Sequence, residues 1–242
     1  MCTVSYIHLP KNKFLLTSSR DEAIARGLAS SPQILDKGTY RLAAPVDPLA
    51  SGTWIAASDY GDVVCLLNGA FKKHQHQPPY RKSRGLVVMD YFDDGNPGNF
   101  YSSYDLINIE PFTMVIISGG NNTELFELRW NGKEKFFKSL NAGQMYLWSS
   151  ATLYREETAA AKERLFRKII GEQTSNSLTP ELLLRIHQKF FYQDWVFPPE
   201  RIEMVATLSI TSLELKDEIL NMYYQDLFQN SLSDISLALE QK

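Results

Sequence analysis

The chain has little of what extracellular, membrane-spanning and zinc-binding proteins need. It contains two cysteines, Cys2 and Cys65, and no CxxC or Cys/His spacing, which excludes a disulfide framework and a zinc finger. No run approaches the roughly 20 apolar residues of a membrane span. The first residues lack a basic segment followed by a sustained apolar one, so we expect no signal peptide. These absences predict a soluble cytoplasmic protein.

Charge of one sign is also scarce. The net charge is -3, and no run of Lys or Arg is long enough for a nucleic-acid footprint. His74 and His76 lie one residue apart in a polar loop that offers no third metal ligand. We therefore expect neither a metal site nor a cofactor, and a small molecule rather than nucleic acid as partner. A homo-oligomeric state stays open.

Hydrophobic periodicity predicts strands at both ends of the chain and helices between them. Alternating or short apolar runs predict strands at 2–9, 13–18, 53–58, 62–67, 112–117, 123–130, 133–138, 145–149, 201–215 and 219–225. Helices are predicted at 84–92, at 154–170 and from Thr179-Pro180-Glu181 onward, and an irregular loop at 69–82. This order predicts one α+β domain over residues 1–242, with two packed sheets flanked by helices.

Cys2 directly follows Met1, and this position is the most informative one in the chain about possible chemistry. Once Met1 is removed, as the small Cys2 side chain favours, one residue carries both a thiol and a free α-amine. The thiol is mostly protonated at neutral pH, whereas the amine is partly uncharged there. The amine can then accept the proton of its own thiol, so nucleophile and base belong to one residue.

Five short motifs follow one another in order: MCT at 1–3, SRDE at 19–22, SGTW at 51–54, LLN at 66–68 and SRG at 83–85. The set resembles the NRDE family, named after an Asn-Arg-Asp-Glu motif, which includes the transport-and-Golgi-organisation relatives. The correspondence continues more weakly through WSSATLY at 148–154 and TLSIT at 207–211. Ser19 stands where the family motif has Asn.

The resemblance implies a four-layer αββα sandwich of the N-terminal-nucleophile hydrolase type, similar to choloylglycine hydrolases and penicillin V acylases, which cut linear amides. By the same resemblance Cys2 is the nucleophile, Arg20 lies beside its thiol, Asp21 lies beside its amine, and Asn68 donates to the oxyanion. A hairpin of the first two strands would bring residue 2 near residues 20–21. A guanidinium there favours thiolate, and a carboxylate favours the protonated amine.

Four further residues are candidate substrate contacts. The second oxyanion donor of the related enzymes would fall near Ser149 or Ser150, where this chain has hydroxyls. Trp54 offers a pocket wall, and Arg84 opens a helix whose N-terminus can hold an anion. A purely structural role stays open for Trp54 and Arg84. Cys65 lies in the apolar run 63–67 and is predicted to be a buried, inert thiol.

Two functional hypotheses follow. The first is a hydrolase of a linear carbon–nitrogen amide bond, supported by Cys2, Arg20 and Asp21. The second is a non-catalytic carrier that uses the same pocket for haem or for a lipid or acyl ligand. The incomplete set of oxyanion donors favours the carrier.

Overall fold

Thirteen strands and four α-helices make up the part of the chain that the computed structural model describes, residues 3–11, 13–119, 123–191 and 205–240. The strands are β1 (Thr3–Leu9), β2 (Lys13–Ala23), β3 (Gln33–Asp36), β4 (Arg41–Ala44), β5 (Ile55–Ser58), β6 (Val63–Asn68), β7 (Phe112–Ser118), β8 (Glu124–Trp130), β9 (Lys135–Leu140), β10 (Tyr146–Ser149), β11 (Val205–Lys216), β12 (Ile219–Asp226) and β13 (Ser231–Ala238). The helices are α1 (Arg84–Asp94), α2 (Pro97–Ser103), α3 (Glu156–Gly171) and α4 (Pro180–Phe191).

The strands form two antiparallel sheets. The first sheet has the order β10-β1-β2-β11-β12-β13, and the second has the order β3-β4-β5-β6-β7-β8-β9. Helix α4 packs on β2 and β11 and helix α3 on β10, whereas α1 packs on β5 and β6 and contacts α2. The result is the predicted four-layer αββα sandwich of the α+β class. No helix in the described ranges is long and apolar enough to cross a membrane.

The two-residue period of β1 and β2 decides which layer each side chain enters. Tyr6 and Leu16 belong to the core between the sheets, whereas Ile7 and Leu15 belong to a second cluster that includes residues of α3 and α4. The same alternation continues into the polar end of β2. Even-numbered residues there face the second sheet, and odd-numbered residues face the helices.

Most predicted elements are confirmed, with four omissions and two differences in length. Strand β2 continues to Ala23 instead of ending at 18, because Ser19, Arg20 and Asp21 are polar yet buried. The connection between the strands predicted at 123–130 and 133–138 has four residues, 131–134, instead of two, since β8 ends at Trp130 and β9 begins at Lys135. Strands β3, β4 and β13 and helix α2 were not predicted, because they are short or half-polar. Residues 201–204 of the predicted strand at 201–215 lie outside the described residues.

A buried histidine joins α4 to the first sheet. His187 is 1% exposed, with Nε2 2.7 Å from Ser5 Oγ and Nδ1 3.0 Å from Ser19 Oγ. Burial, and then the nearby charge of Lys162, lower the pKa of His187 to about 3. The ring is therefore neutral at physiological pH, and one of its nitrogens donates a hydrogen bond while the other accepts one.

This histidine predicts an acid-sensitive fold. The unfolded chain takes up a proton near pH 6.5, but the folded chain does so only near pH 3, so the contribution of His187 is complete above about 6.5 and is lost below it. Between pH 7.5 and pH 5 the free energy of unfolding should fall by about 2 kcal/mol from this residue. Urea unfolding of the wild type and of His187→Gln at both values measures it. Equal pH dependence in the two proteins would contradict the assignment.

Candidate active site

The pairing of β1 with its neighbours defines where the amino-terminal end of the chain enters the fold. Thr3 pairs with Ser19 of β2 on one side and with Ser149 of β10 on the other. Arg20 and Asp21 therefore lie at the end of β2 that borders the start of β1, as the predicted hairpin requires. Cys2, the predicted nucleophile, lies outside the described residues, as does Met1.

Arg20 is held rigidly on the face that looks toward the second sheet. It is 3% exposed, and its Nη2 donates to Asp47 Oδ2 at 3.1 Å. Its guanidinium also lies 5.1 Å from the centroid of the Trp54 ring, within the range of a cation–π contact. The salt bridge and the ring contact leave this side chain little freedom, so its charge is fixed in place.

One carboxylate serves two arginines here. Asp47 Oδ2 also accepts from Arg26 Nε at 2.9 Å, and Asp47 Oδ1 accepts from the backbone amides of Leu49 and Ala50. Burial opposes ionisation of this carboxyl, but the hydrogen bond and charge of Arg26, with hydrogen bonds from Ala50 N and Arg20, hold the pKa of Asp47 below its usual value. Asp47 is therefore ionised at neutral pH and neutralises part of the positive charge around Arg20.

Asp21 points the opposite way, toward the helix layer. Its Oδ2 accepts from the Tyr154 hydroxyl at 3.1 Å, and its Oδ1 accepts from Thr207 Oγ1 at 2.5 Å. Tyr154 ends the WSSATLY segment and Thr207 begins the TLSIT segment. The two weaker motif matches therefore supply the hydroxyl groups that hold the aspartate of the SRDE motif.

A cavity of about 360 Å³ opens beside Arg20. Four predicted site residues line it together: Arg20, Trp54, Asn68 and Arg84. The other lining residues are Glu22, Arg26, Asp47, Ala50, Gly52, Thr53, Leu66, Tyr80, Lys82, Ser83, Gly85 and Glu110. The SRDE, SGTW, LLN and SRG motifs thus contribute to the wall of one cavity.

The two candidate serines do not line this cavity. Ser150 is buried, and its hydroxyl donates to the backbone carbonyl of Asn68 at 2.8 Å. It therefore supports the strand end that carries Asn68. Ser149 pairs with Thr3 at the edge of β1. Their assignment as substrate contacts stays a prediction.

Sequence reasoning missed a second ion-pair group in the cavity. Arg84 Nη2 lies 3.0 Å from Glu110 Oε2, and His74 Nε2 and His76 Nδ1 lie 2.9 and 3.3 Å from Glu110 Oε1. Burial lowers the pKa of Arg84, and the Glu110 charge works against that effect. His74 and His76 therefore both contact the Glu110 carboxylate. Within the described ranges, no cluster of three or more His, Cys, Asp or Glu side chains could hold a metal ion.

Cys65 matches its prediction as an inert thiol. It is fully buried in β6, and burial raises the pKa of its thiol to about 12. At neutral pH its thiol is therefore protonated and shielded from solvent.

Gly52 and Gly85 allow the SGTW and SRG segments to pack against each other. Thr53 N donates to Gly85 O at 3.2 Å, which brings the two motif segments side by side in the cavity wall. A Cβ added to Gly52 would lie 2.5 Å from the carbonyl carbon of Gly85, closer than real Cβ atoms approach backbone. Ser83 then caps α1 by accepting from Leu86 N. Close backbone approach is the reason for glycine at these positions.

Comparisons with known proteins agree with this architecture. The sequence model of the family described as Transport and Golgi organisation 2 matches residues 1–226. The structure is similar to a cysteine-to-alanine mutant of conjugated bile acid hydrolase from Clostridium perfringens, with a TM-score of 0.65, 10% identity, and coverage of 98% of this chain and 92% of that one. An arginine-to-leucine variant of the same hydrolase gives a TM-score of 0.61 at 9% identity, with 100% and 99% of the two chains covered.

A third structure extends the likeness to an animal protein. The Caenorhabditis elegans orthologue of N-acylethanolamine-hydrolyzing acid amidase gives a TM-score of 0.58 at 9% identity, covering 88% of this chain and 92% of that one. At these identities the likeness shows the fold alone, and it confirms the predicted αββα sandwich. No curated protein matches the chain by sequence.

The glycine contact gives a stability prediction. Gly52→Ala should lower the free energy of unfolding by about 2 kcal/mol, because the new methyl group must displace the backbone of Gly85. Gly171→Ala at the end of α3 is the matched control, since a Cβ there meets nothing within 4 Å. Thermal and urea unfolding of both variants test the contact. A Gly52→Ala protein as stable as the control would show that the two segments do not touch.

Proposed function

The chain belongs to the Transport and Golgi organisation 2 family, and from this premise we propose that it is an N-terminal-nucleophile hydrolase. Its substrate is a small acylated molecule with a linear amide bond, and Cys2 is the nucleophile after Met1 removal. The observation that carries the proposal is the position of Arg20, which lies beside the start of β1 and lines the cavity. The two bile acid hydrolase structures carry substitutions of a cysteine and an arginine, the residue types that Cys2 and Arg20 supply here.

The register of β1 supports the role of Arg20. Thr3 pairs with Ser19, so the end of β1 that follows Cys2 in sequence lies beside the segment of β2 that carries Arg20. The side chains of Val4 and Tyr6 belong to the core between the sheets, and Arg20 also points to that side, toward Asp47. In the proposed arrangement the guanidinium stabilises the Cys2 thiolate. Asp21, on the other face, orients the α-amine.

The proposed reaction has two balanced halves. The amine accepts the thiol proton, the sulfur attacks the amide carbonyl carbon, and the carbon–nitrogen bond breaks as the proton passes to the leaving nitrogen. Water then attacks the thioester with the amine as base, the carbon–sulfur bond breaks, and a carboxylic acid leaves while the thiol is restored. The Asn68 side-chain amide donates to the oxyanion in both halves.

The cavity suits a small substrate. Its volume of about 360 Å³ is at the lower end of the range for small-molecule pockets. Trp54 and Leu66 offer an apolar wall for an acyl chain, whereas Arg26, Arg84 and Glu110 offer polar groups in the lining of the same cavity. An acylated small molecule has both an apolar and a polar portion to match.

A second candidate function has one observation in its favour. The Ser150 hydroxyl donates to the Asn68 carbonyl and does not line the cavity, so Asn68 would be the one side-chain oxyanion donor of the predicted pair. A carrier of haem or of an acyl ligand would use the same cavity without needing that second donor.

Substrate turnover separates the two functions. With Met1 removal confirmed by mass spectrometry, the wild type should release amine from members of a panel of N-acyl amides. Cys2→Ala should lower the rate by about 1000-fold or more, because the nucleophile is lost. Cys65→Ala is the matched control that removes the other thiol, and it should retain activity.

The opposite result would favour the carrier. If the wild type with a free Cys2 amine releases nothing from the panel, the hydrolase proposal is wrong. Retention of haem or a fatty-acyl ligand by that same protein, measured by equilibrium binding, would then support the carrier.

A further inference from the structure

A buried lysine lies beneath the start of β1. Lys162 of α3 has 0% exposure, and its Nζ donates to Thr3 Oγ1. Fully buried lysines are rare, because removing an ammonium group from water is costly unless partners compensate. Lys162 occupies the buried face of α3 together with Phe166 and Ile170. If this position served only to pack α3 against the sheet, an apolar side chain would fill it at lower cost. The buried charge of Lys162 therefore has another role.

The lysine connects β1 to the aspartate of the SRDE motif. Its Nζ lies 3.7 Å from the centroid of the Tyr154 ring, a close cation–π contact. The hydroxyl of that same ring donates to Asp21 Oδ2 at 3.1 Å. A chain of contacts therefore runs from Thr3 through Lys162 and Tyr154 to Asp21. Thr3 is joined to residue 2 by a peptide bond, and Asp21 is the proposed partner of the amine.

The charged and titratable groups around the lysine come from three further elements. Asp21 belongs to β2, Tyr154 precedes α3, and His187 belongs to α4. The charge of Lys162 contributes to the lowered pKa of His187. His187 is neutral above about pH 3, so it adds no positive charge to this cluster at physiological pH.

We propose that Lys162 is a positioning residue for the N-terminal nucleophile, which it holds by anchoring Thr3 and, through Tyr154, Asp21. The inference rests on the proposed function, because it assigns Lys162 to the same site. Lys162 does not line the cavity, so it acts on the reacting residue through β1 and not on the substrate. Its positive charge also favours the thiolate and the uncharged amine, the two forms that the proposed reaction uses.

The first test measures thiol reactivity, which needs no amide turnover. The proteins are the full chain with Met1 removed, as wild type, Lys162→Met, Lys162→Arg and Lys168→Met, the last being the same change at an exposed position of α3. The rate of Cys2 alkylation by iodoacetamide is followed against pH, with peptide mass spectrometry to separate Cys2 from Cys65.

The pH midpoint of alkylation should rise by about one pH unit in Lys162→Met. Lys162→Arg should restore most of the shift, because it retains the charge, and Lys168→Met should match the wild type. A merely structural lysine would change stability and leave the midpoint in place. Identical midpoints in the wild type, Lys162→Met and Lys168→Met would overturn the inference.

A second pair of variants keeps the test decisive if Lys162→Met does not fold. Thr3→Val removes the acceptor and retains the lysine, whereas Thr3→Ser retains the hydroxyl. Thr3→Val should raise the alkylation midpoint and lower kcat for amide hydrolysis about tenfold with KM changed less than about twofold, because a displaced nucleophile reacts slowly. Thr3→Ser should behave as the wild type. A Thr3→Val protein with wild-type midpoint and kcat would refute the anchoring.

The two proposals fail in different ways. A shifted midpoint without any amide hydrolysis by the wild type would refute the hydrolase and leave the anchoring role of Lys162 in place. Intact hydrolysis with an unshifted midpoint in Lys162→Met and Thr3→Val would refute the anchoring role alone.

Discussion

The pairing of β1 with β2 is the constraint on which the candidate site depends. Thr3 lies opposite Ser19, and the two-residue period of β2 then sends Arg20 toward the second sheet and Asp21 toward the helices. A slip of one residue would exchange these two charges between the cavity and the helix layer. The apolar residues farther along prevent such a slip, because Tyr6 and Leu16 would have to leave the core between the sheets.

Burial of the polar end of β2 requires partners from distant parts of the chain. Arg20 and Asp21 are both 3% exposed, and a buried charge without partners costs several kcal/mol. On the face toward the second sheet, Asp47 and Trp54 stabilise the Arg20 guanidinium. On the face toward the helices, the hydroxyl groups of Tyr154 and Thr207 donate hydrogen bonds to the Asp21 carboxylate. The motif segments therefore supply the partners that these two buried charges need in the folded protein, whatever the chemistry of the site.

Local sequence patterns predicted the parts of the fold and site that local patterns determine. Regular apolar periods identified the long strands and α3, whereas the ordered SGTW, LLN and SRG motifs and the family resemblance that they carry singled out Trp54, Asn68 and Arg84, which all line the cavity. Asp47 and Glu110 were not predicted as site residues, because their role depends on which loops approach β2 and α1 in space. Lys162 was not predicted for a related reason. Helical periodicity places it on a buried face but does not reveal the Tyr154 ring and the Thr3 hydroxyl that contact it.

The helix-side network bears on the choice between catalysis and binding alone. A carrier needs the cavity, and the cavity is lined by Arg20, Trp54, Asn68 and Arg84 without any contribution from Lys162 or Asp21. Burying an ammonium and a carboxylate behind the sheet costs free energy that apolar packing would avoid. Lys162 contacts the first described residue of β1, since its Nζ donates to Thr3 Oγ1, and Asp21 belongs to the same network through the Tyr154 ring and hydroxyl. In the proposed hydrolase this network would position the residue that precedes Thr3, whereas ligand binding in the cavity does not require such a network.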